Sequence, residues 1–336
     1  MLTRRHAIAA AVLLVPTAAL PSPSFAAPAP NEMFRGKTIT YIVATTAGGG
    51  YDTYGRMIAR YMPKYLPGAR VIVRNVPGAG NIIGANAIYT ARPDGLTIGM
   101  FNTGLIYNQL IGAAGMNFDI AKFSWLGKAA TEARAVVLST KSPFKSFDDM
   151  LKARDVKFAT SGIGTASYFD TRILADALKL NIEVVNNFSG NTGELSMLRG
   201  EVAGQIGTVE SLEQFVKNGG GFYALAVSGT EMTLPGVPKV AQYAKDDRAR
   251  KLVALIQAMS ELGRLQAAPP GVPAATLAVL RTAMGQVVAD PGFVADSEKL
   301  DLPIDFLPGD VVAGKVKAAL DQPPDVIAAL KQVSGS

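Results

Sequence analysis

Cysteine is absent from the 336-residue chain, and the only histidine is His6. The absence of cysteine excludes disulfide bonds and a lipid-bearing cysteine behind an export signal. Since His6 lies in a segment that we expect to be removed, the mature chain should hold neither residue type. That excludes Ser-His-Asp and Cys-His nucleophilic catalysis and the usual zinc sites. Catalysis by carboxylates or by a Ser-Lys pair stays open, but an enzyme becomes the less favoured class.

Long hydrophobic runs are also absent. The apolar run behind Arg4 and Arg5 covers residues 7–15, which is too short to cross a bilayer. A basic start, an apolar run of this length and the small-x-small stretch Ser24-Phe25-Ala26 are typical of a secretory signal peptide, predicted here over residues 1–26. The paired arginines leave twin-arginine export open, although we favour the general route. The mature protein should therefore be free in the periplasm.

Charge of one sign is not concentrated anywhere. The formal net charge of +6 falls to +4 when Arg4 and Arg5 leave with the signal, and the remaining basic residues are scattered and not interleaved with aromatics. This pattern favours solvated surfaces over a nucleic-acid site. Aromatic residues make up only 7% of the chain, so the core must be built mainly from aliphatic side chains. The length favours two lobes over one core.

Two glycine-rich turns are the most informative stretches present. The first, Ala47-Gly48-Gly49-Gly50-Tyr51-Asp52, lies between a predicted strand at 38–44 and a predicted helix at 53–66. The second, Ser161-Gly162-Ile163-Gly164-Thr165-Ala166-Ser167, lies between a predicted strand at 156–160 and a predicted helix at 166–180. Glycine lets backbone N–H groups crowd around an anion, and the helix macrodipole adds positive potential there. A tight turn without a ligand is the alternative for either stretch alone.

Strands and helices alternate along most of the chain, which predicts an α/β fold with parallel, doubly wound sheets. Asn102 and Thr103 follow the third predicted strand, at the carboxyl end where such sheets bind ligands. The other predicted strands are residues 70–76, 96–101, 135–140, 183–188, 202–208 and 222–227, and later helices are predicted at 273–289, 311–320 and 325–333.

Several residues near the turns have two interpretations. Gly78-x-Gly80-x-x-x-Gly84 resembles a dinucleotide fingerprint but lacks an acid about twenty residues on, so we favour small residues that pack a helix on a sheet, and no cofactor. Asp52 is predicted to cap free N–H groups, with acceptance of a ligand hydrogen bond as the alternative. Tyr51 and Tyr168 fit the core, or the wall of a pocket.

A family resemblance follows from stretches that occur in one order: A-G-G-G-Y-D-T-Y-G-R (47–56), V-I-V-R-N-V-P-G-A-G-N (71–81), P-D-G (93–95), S-G-I-G-T (161–165) and A-P-P-G-V-P (268–273). Together these resemble the Bug family, the extracytoplasmic solute receptors of tripartite tricarboxylate transporters. The chain departs from the usual family pattern at Tyr51, where Thr or Ser is usual, and at Tyr168, where His is common. These departures suggest a bulkier or aromatic acid as ligand.

The resemblance implies a two-lobed periplasmic-binding-protein fold of the flytrap type, each lobe a mostly parallel sheet flanked by helices. We expect lobe 1 at residues 32–135 plus 253–336 and lobe 2 at residues 136–252. It implies a monomer without metal or catalytic residues, whose loops hold a ligand carboxylate with backbone amides and ordered waters. The implied ligand-binding residues are Ala47, Gly48, Gly49, Gly50, Tyr51, Asp52, Thr53, Asn102, Thr103, Ser161, Gly162, Ile163, Gly164, Thr165, Ala166, Tyr168, Phe188, Gly190 and Asn191.

The predicted function is capture of a small organic acid between the lobes and its delivery to an integral membrane permease. Backbone hydrogen bonds should suffice for micromolar affinity without an arginine in the cleft. Two alternatives stay open. The first is a sensor with the same fold and a signalling partner in place of the permease. The second, less favoured, is an exported enzyme that uses carboxylates.

Overall fold

The computed structural model describes residues 30–188, 191–228 and 234–335. The predicted signal peptide lies outside the described residues, and so does Gly190 of the predicted site. Within the described ranges, no helix combines the length and apolar character needed to cross a membrane.

The chain alternates between strands and helices from its first strand onward. In chain order, the strands are β1 (Thr38–Val43), β2 (Arg70–Asn75), β3 (Thr97–Phe101), β4 (Ser124–Lys128), β5 (Arg134–Ser139), β6 (Val156–Ala159), β7 (Ile182–Val185), β8 (Gly204–Thr208), β9 (Gly221–Ala226), β10 (Leu265–Ala268) and β11 (Leu307–Pro308). The helices are α1 (Gly50–Tyr65), α2 (Ile82–Tyr89), α3 (Gly104–Ile111), α4 (Phe147–Leu151), α5 (Ala166–Leu178), α6 (Thr192–Arg199), α7 (Val209–Lys217), α8 (Asp247–Ser260), α9 (Ala274–Val288), α10 (Pro291–Lys299), α11 (Gly309–Leu320) and α12 (Pro324–Ser334).

The strands form two sheets, one for each lobe. The first has the order β11-β4-β10-β3-β1-β2, and the second has the order β7-β6-β8-β5-β9. β1 pairs in parallel with β2 and β3, whereas β10 is antiparallel to both β3 and β4. In the second sheet β6 is parallel to β7 and β8, and β5 is antiparallel to β8 and β9. The two-lobed α/β fold is confirmed, but the sheets are mixed and not mostly parallel. The βα units supply four parallel pairings, whereas β5, β10 and β11 pair antiparallel because no βα crossover joins them to their neighbours.

Apolar periodicity explains how α1 packs on the first sheet. Met57, Ile58 and Met62 are buried against the sheet, as their helical spacing predicts. Tyr61 and Tyr65 lie at the edge of this stripe, where their hydroxyls donate to Asp296 and Asp290 at 2.6 Å. The amphipathic phenols thus bury their rings and keep their polar ends bonded.

Two crossover segments connect the sheets and lie side by side. Residues 129–133 lead from β4 to β5, and residues 261–264 lead from α8 to β10. The Glu132 amide donates to the Ser260 carbonyl at 2.9 Å, and the Ala129 amide donates to the Arg264 carbonyl at 3.2 Å. These bonds tie the two connections together, and we call residues 129–133 and 261–264 the hinge region. The predicted limits of the lobes in sequence stay a prediction.

Candidate functional site

A cavity of about 800 Å³ lies where the carboxyl ends of strands from both sheets face each other. Its walls come from the segments that follow β1, β2 and β3 in the first lobe and β6, β7 and β8 in the second. Open α/β sheets bind ligands at these strand ends, because the backbone groups of the loops and helix starts there are not hydrogen-bonded within the sheet. The cavity is therefore the candidate site.

Most residues of the two predicted glycine-rich turns line this one cavity. Those that line it from the predicted set are Gly48, Gly49, Gly50, Tyr51, Asn102, Ser161, Gly162, Ile163, Thr165, Ala166, Phe188 and Asn191. Ala47, Asp52, Thr53, Thr103, Gly164 and Tyr168 are described but are not among the lining residues. The structure thus brings the two turns together around one space, and their role in ligand binding stays a prediction.

Asp52 holds the first turn in shape. Its carboxylate is buried and accepts hydrogen bonds from the Gly48 amide, the Arg56 Nε and the Asn75 Nδ2, each at 2.9 Å. Burial alone would raise the pKa of Asp52, but these donors lower the pKa below its usual value. Asp52 is consequently ionised, and its carboxylate oxygens already accept hydrogen bonds from groups of the protein, as the capping interpretation predicts.

The second turn rests directly on the first lobe. The Asn108 side chain of α3 donates to the Gly164 carbonyl at 2.8 Å. A Cβ placed on Gly80 would lie 2.7 Å from that same carbonyl group, so only glycine permits this approach. Gly84 instead packs α2 on the sheet, since its Cβ would lie 2.5 Å from the Ala44 Cβ. The glycines of the 78–84 stretch therefore serve two packing purposes, and one of them joins the lobes.

Replacement of Gly80 by alanine should disturb this lobe contact. Gly80 has φ +62, which costs a non-glycine residue about 1 kcal/mol, and the new methyl group would also meet the Gly164 carbonyl. We expect a lower midpoint of thermal unfolding and a larger radius of gyration in X-ray scattering. Gly112→Ala is the matched control, because Gly112 has φ +73 but open space around its Cβ. Equal losses in both variants would contradict a steric contact between the lobes.

Five helices begin at the wall of the cavity. Gly49, Asn81, Thr165, Asn191 and Thr208 are the residues that precede α1, α2, α5, α6 and α7, and all five line it. At Gly49, Asn81 and Asn191 the residue itself forms no side-chain cap, although the Ile82 amide of α2 donates to the Ala79 carbonyl and the Glu194 amide of α6 donates to its own carboxylate. Each helix start also carries a partial positive charge, so the site suits an anion.

The two predicted tyrosines have different surroundings. The Tyr51 ring lies against the Arg264 guanidinium, with 4.0 Å from the Arg264 Cζ to the ring centroid, and its buried hydroxyl faces the Glu132 carboxylate. Tyr168 faces away from the cavity, where its hydroxyl donates to the Ser334 carbonyl at 3.2 Å. An aromatic wall can therefore come from Tyr51 or Phe188, which line the cavity.

Asn102 shapes the start of the next helix. Its Oδ1 accepts from the Gly104 amide at 2.9 Å while the residue lines the cavity. Thr103 is buried beside it, and its hydroxyl has no hydrogen-bond partner.

Two buried arginines line the cavity, and the sequence reasoning missed both. Arg134 Nη2 pairs with Glu132 at 2.6 Å and its Nε with Asp170 at 3.2 Å, while Arg264 Nη1 pairs with Glu132 at 3.1 Å. Neither arginine was among the predicted ligand-binding residues, and the prediction that backbone hydrogen bonds suffice for micromolar affinity stays a prediction. Each guanidinium is already paired with a carboxylate of the hinge region, so these arginines bring little uncompensated charge to the cavity.

Burial and charge set the ionisation of this cluster. Burial would raise the pKa of Glu132, but Arg134 and Arg264 lower the pKa below its usual value. For Asp170, burial dominates over Arg134 and the Tyr107 hydroxyl, and raises the pKa to about 6. Tyr107 belongs to the first lobe and donates to Asp170 at 3.0 Å. The cluster therefore couples both lobes to the hinge.

Comparisons with known proteins agree with this geometry. The sequence profile described as the tripartite tricarboxylate transporter family receptor, TctC, matches residues 55–304. A UPF0065 protein from the tcbD–tcbE intergenic region of Pseudomonas sp. strain P51 is 29% identical over 222 residues, which are 63% of this chain and 65% of that protein. The protein BugT of Bordetella pertussis is 25% identical over 230 residues, which are 65% of this chain and 69% of BugT.

Solved structures share the fold. The periplasmic binding protein BugD superposes with a TM-score of 0.73 at 21% identity, covering 88% of this chain and 97% of BugD. MatC from Rhodopseudomonas palustris, solved with bound malate, gives a TM-score of 0.70 at 20% identity and covers 88% of this chain and 98% of MatC. With the profile match over most of its length, the chain belongs to the tripartite tricarboxylate transporter family of receptors.

Proposed function

We propose that this protein is a periplasmic solute-binding protein that captures a small carboxylate-bearing organic acid between its two lobes. The observation that carries the proposal is the convergence of both glycine-rich turns and five helix starts on one cavity of about 800 Å³. Such a cavity falls within the usual range for small-molecule sites. MatC, a neighbour of the same fold, was solved with bound malate, and Rpa4515 from R. palustris, which shares this fold, was solved with adipate.

Hydrogen bonds from backbone amides can supply the free energy that micromolar binding of a carboxylate requires. A hydrogen bond to a charged group contributes about 1.5–3 kcal/mol, so three or four bonds offset an association cost of at least about 4 kcal/mol. Apolar area buried on lobe closure adds to this. Micromolar affinity corresponds to roughly −8 kcal/mol, which this sum can reach.

The partner in this proposal is an integral membrane permease of the tripartite type. Closure of the lobes on a ligand would present a surface that the open form lacks. The test is co-purification of the liganded and ligand-free protein with a tagged permease encoded nearby. Retention of the liganded form supports transport. Retention by a signalling protein instead would replace transport with a sensor function.

A thermal-shift screen of the mature protein against organic acids tests ligand binding. A ligand that binds the folded form alone stabilises it by mass action, about 2.7 kcal/mol at one hundred times its Kd. We expect a carboxylic acid to raise the unfolding midpoint, and its amide or ester analogue to leave the midpoint unchanged. Equal shifts with the uncharged analogues would contradict a carboxylate site. Incubation of the same acids with the protein should leave them chemically unaltered.

Calorimetric titration tests the prediction that the ligand is a bulky or aromatic acid. Tyr51 and Phe188 line the cavity and give it aromatic surface. We expect aromatic or bulky acids to bind at least as tightly as short aliphatic dicarboxylates. A clear preference for small aliphatic acids would remove this part of the proposal.

A further inference from the structure

Glu194 is a carboxylate inside a cavity that otherwise suits anions. It lies in the first turn of α6, and among the lining residues of the described chain it is the only acidic one. Its Oε2 is shielded from solvent, and the donors that act on its carboxylate are its own amide and the Gln205 side chain. Gln205 of β8 lines the cavity beside it, and the Gln205 Nε2 is shielded as well. The Glu194 carboxylate thus has neutral donors near it and, among the described residues, no cation.

The charges of the cavity differ in how well they are compensated. Arg134 and Arg264 are each paired with Glu132, and Arg134 also with Asp170. Glu194, in contrast, forms no ion pair with any arginine or lysine of the described residues within 4.0 Å. The uncompensated side-chain charge at the cavity wall is therefore negative, although the backbone donors favour a negative ligand group.

Burial penalises this unpaired carboxylate. It raises the pKa of Glu194 above the usual value, and the Glu194 amide and the nearby Gln205 side chain lower it only in part. A buried carboxylate without a cationic partner costs free energy until something compensates its charge. A ligand with a cationic donor at the right place would compensate it.

We propose that Glu194 recognises a cationic nitrogen on a ligand that also carries a carboxylate. The ligand class is then an amino-acid-type zwitterion, whose carboxylate lies on the amides of the glycine-rich turns and whose ammonium lies against Glu194. Gln205 positions this carboxylate and supplies a second polar contact. This inference rests on the proposed function, because it assigns the other end of the same ligand.

Matched ligand pairs test the assignment. We would titrate the mature protein by calorimetry at neutral pH with succinate and aspartate, glutarate and glutamate, and 3-phenylpropionate and phenylalanine. Members of a pair share the carboxylate and differ chiefly by an ammonium group. We expect the amino member of the best pair to bind at least tenfold more tightly. In Glu194→Gln that preference should fall by at least tenfold, while the plain acid binds equally well or better.

Glu210→Gln is the matched control. Glu210 is a half-buried glutamate in the first turn of α7 whose pKa is also raised by burial, but it is not among the lining residues. Glu210→Gln should leave the ratio of the two Kd values within each ligand pair unchanged. Thermal unfolding of both variants shows that they fold.

Three results would overturn the inference. The first is a wild-type preference for the plain acid, which would mean that a protonated Glu194 donates to a second carboxylate. The second is an unchanged ratio in Glu194→Gln. In both cases carboxylates still bind, and the proposed function stands. The third is no binding of any acid in the panel or in the thermal-shift screen, which would end both proposals.

Discussion

Glu132→Ala should lower the free energy of unfolding by about 3–5 kcal/mol, the largest loss of stability that we expect from one substitution. Glu132 is 1% exposed and pairs with Arg134 at 2.6 Å and with Arg264 at 3.1 Å. Its removal would leave two buried guanidinium groups with fewer partners. Uncompensated buried charge is costly because the protein interior solvates it poorly. Chemical denaturation at neutral pH would measure the loss.

The control for Glu132→Ala is Glu201→Ala. Glu201 pairs with Arg199 at 2.7 Å, but both side chains are more than half exposed. Water solvates such a pair well, so its loss should cost about 0–1 kcal/mol. Loss of the hydrogen bond that the Ser196 hydroxyl donates to Glu201 at 2.6 Å should add about 1 kcal/mol. If Glu132→Ala does not fold, Glu132→Gln keeps an acceptor oxygen and should lose less. A loss at Glu132 as small as that at Glu201 would contradict a buried network at the hinge.

Gly49→Val should weaken carboxylate binding by at least a hundredfold, about 2.7 kcal/mol, while the protein stays folded. Gly49 precedes α1, lines the cavity and has φ −97, which valine adopts readily. A Cβ at this position meets no atom within 4 Å, so the empty protein accommodates it. The isopropyl group would then occupy the space beside the amides that should hold the ligand. Calorimetry with the acid from the screen measures the affinity.

Gly314→Val is the matched control for Gly49→Val. Gly314 lies in α11, away from the cavity, and its Cβ also meets open space. It should bind as the wild type does. Unaltered binding in Gly49→Val would show that the first turn does not hold the carboxylate. Gly164→Val is a poorer test, because Gly164 has φ +83 and its Cβ would lie 3.3 Å from the Gly80 Cα.

The βα units and the two turns were predictable because their signals are local. Strand, glycines and helix follow one another within about twenty residues, and the strand bounds differ from prediction by one to three residues at most positions. Ser146 caps α4 by accepting from the Asp149 amide at 3.1 Å, and its spacing from the acid three residues later is typical of such a cap. Local chemistry decides these features, so neighbours in sequence suffice.

The arginines and Glu194 were not predictable because their roles depend on distant parts of the chain. Arg134 and Arg264 are far apart in sequence and come together because both pair with Glu132 of the first crossover segment. The second crossover segment brings Arg264 there, and it leads into β10, which lies between β3 and β4 in the first sheet. Gly80 belongs to a turn that was recognised, but nothing near it in sequence predicts a contact with Gly164 of the other lobe. Tyr168, one residue past the second turn, points to the C-terminal helix instead of the cavity.

The most direct test of the account is amide chemical-shift mapping by NMR during titration with a carboxylate that the thermal-shift screen identifies. The account predicts that the amides of residues 48–51 and of residues 161–167 shift together and give one common Kd. It also predicts that the reverse titration recovers the same acid unaltered. Shifts confined to one of the two turns, or centred on residues outside the cavity, would contradict a ligand held between the lobes.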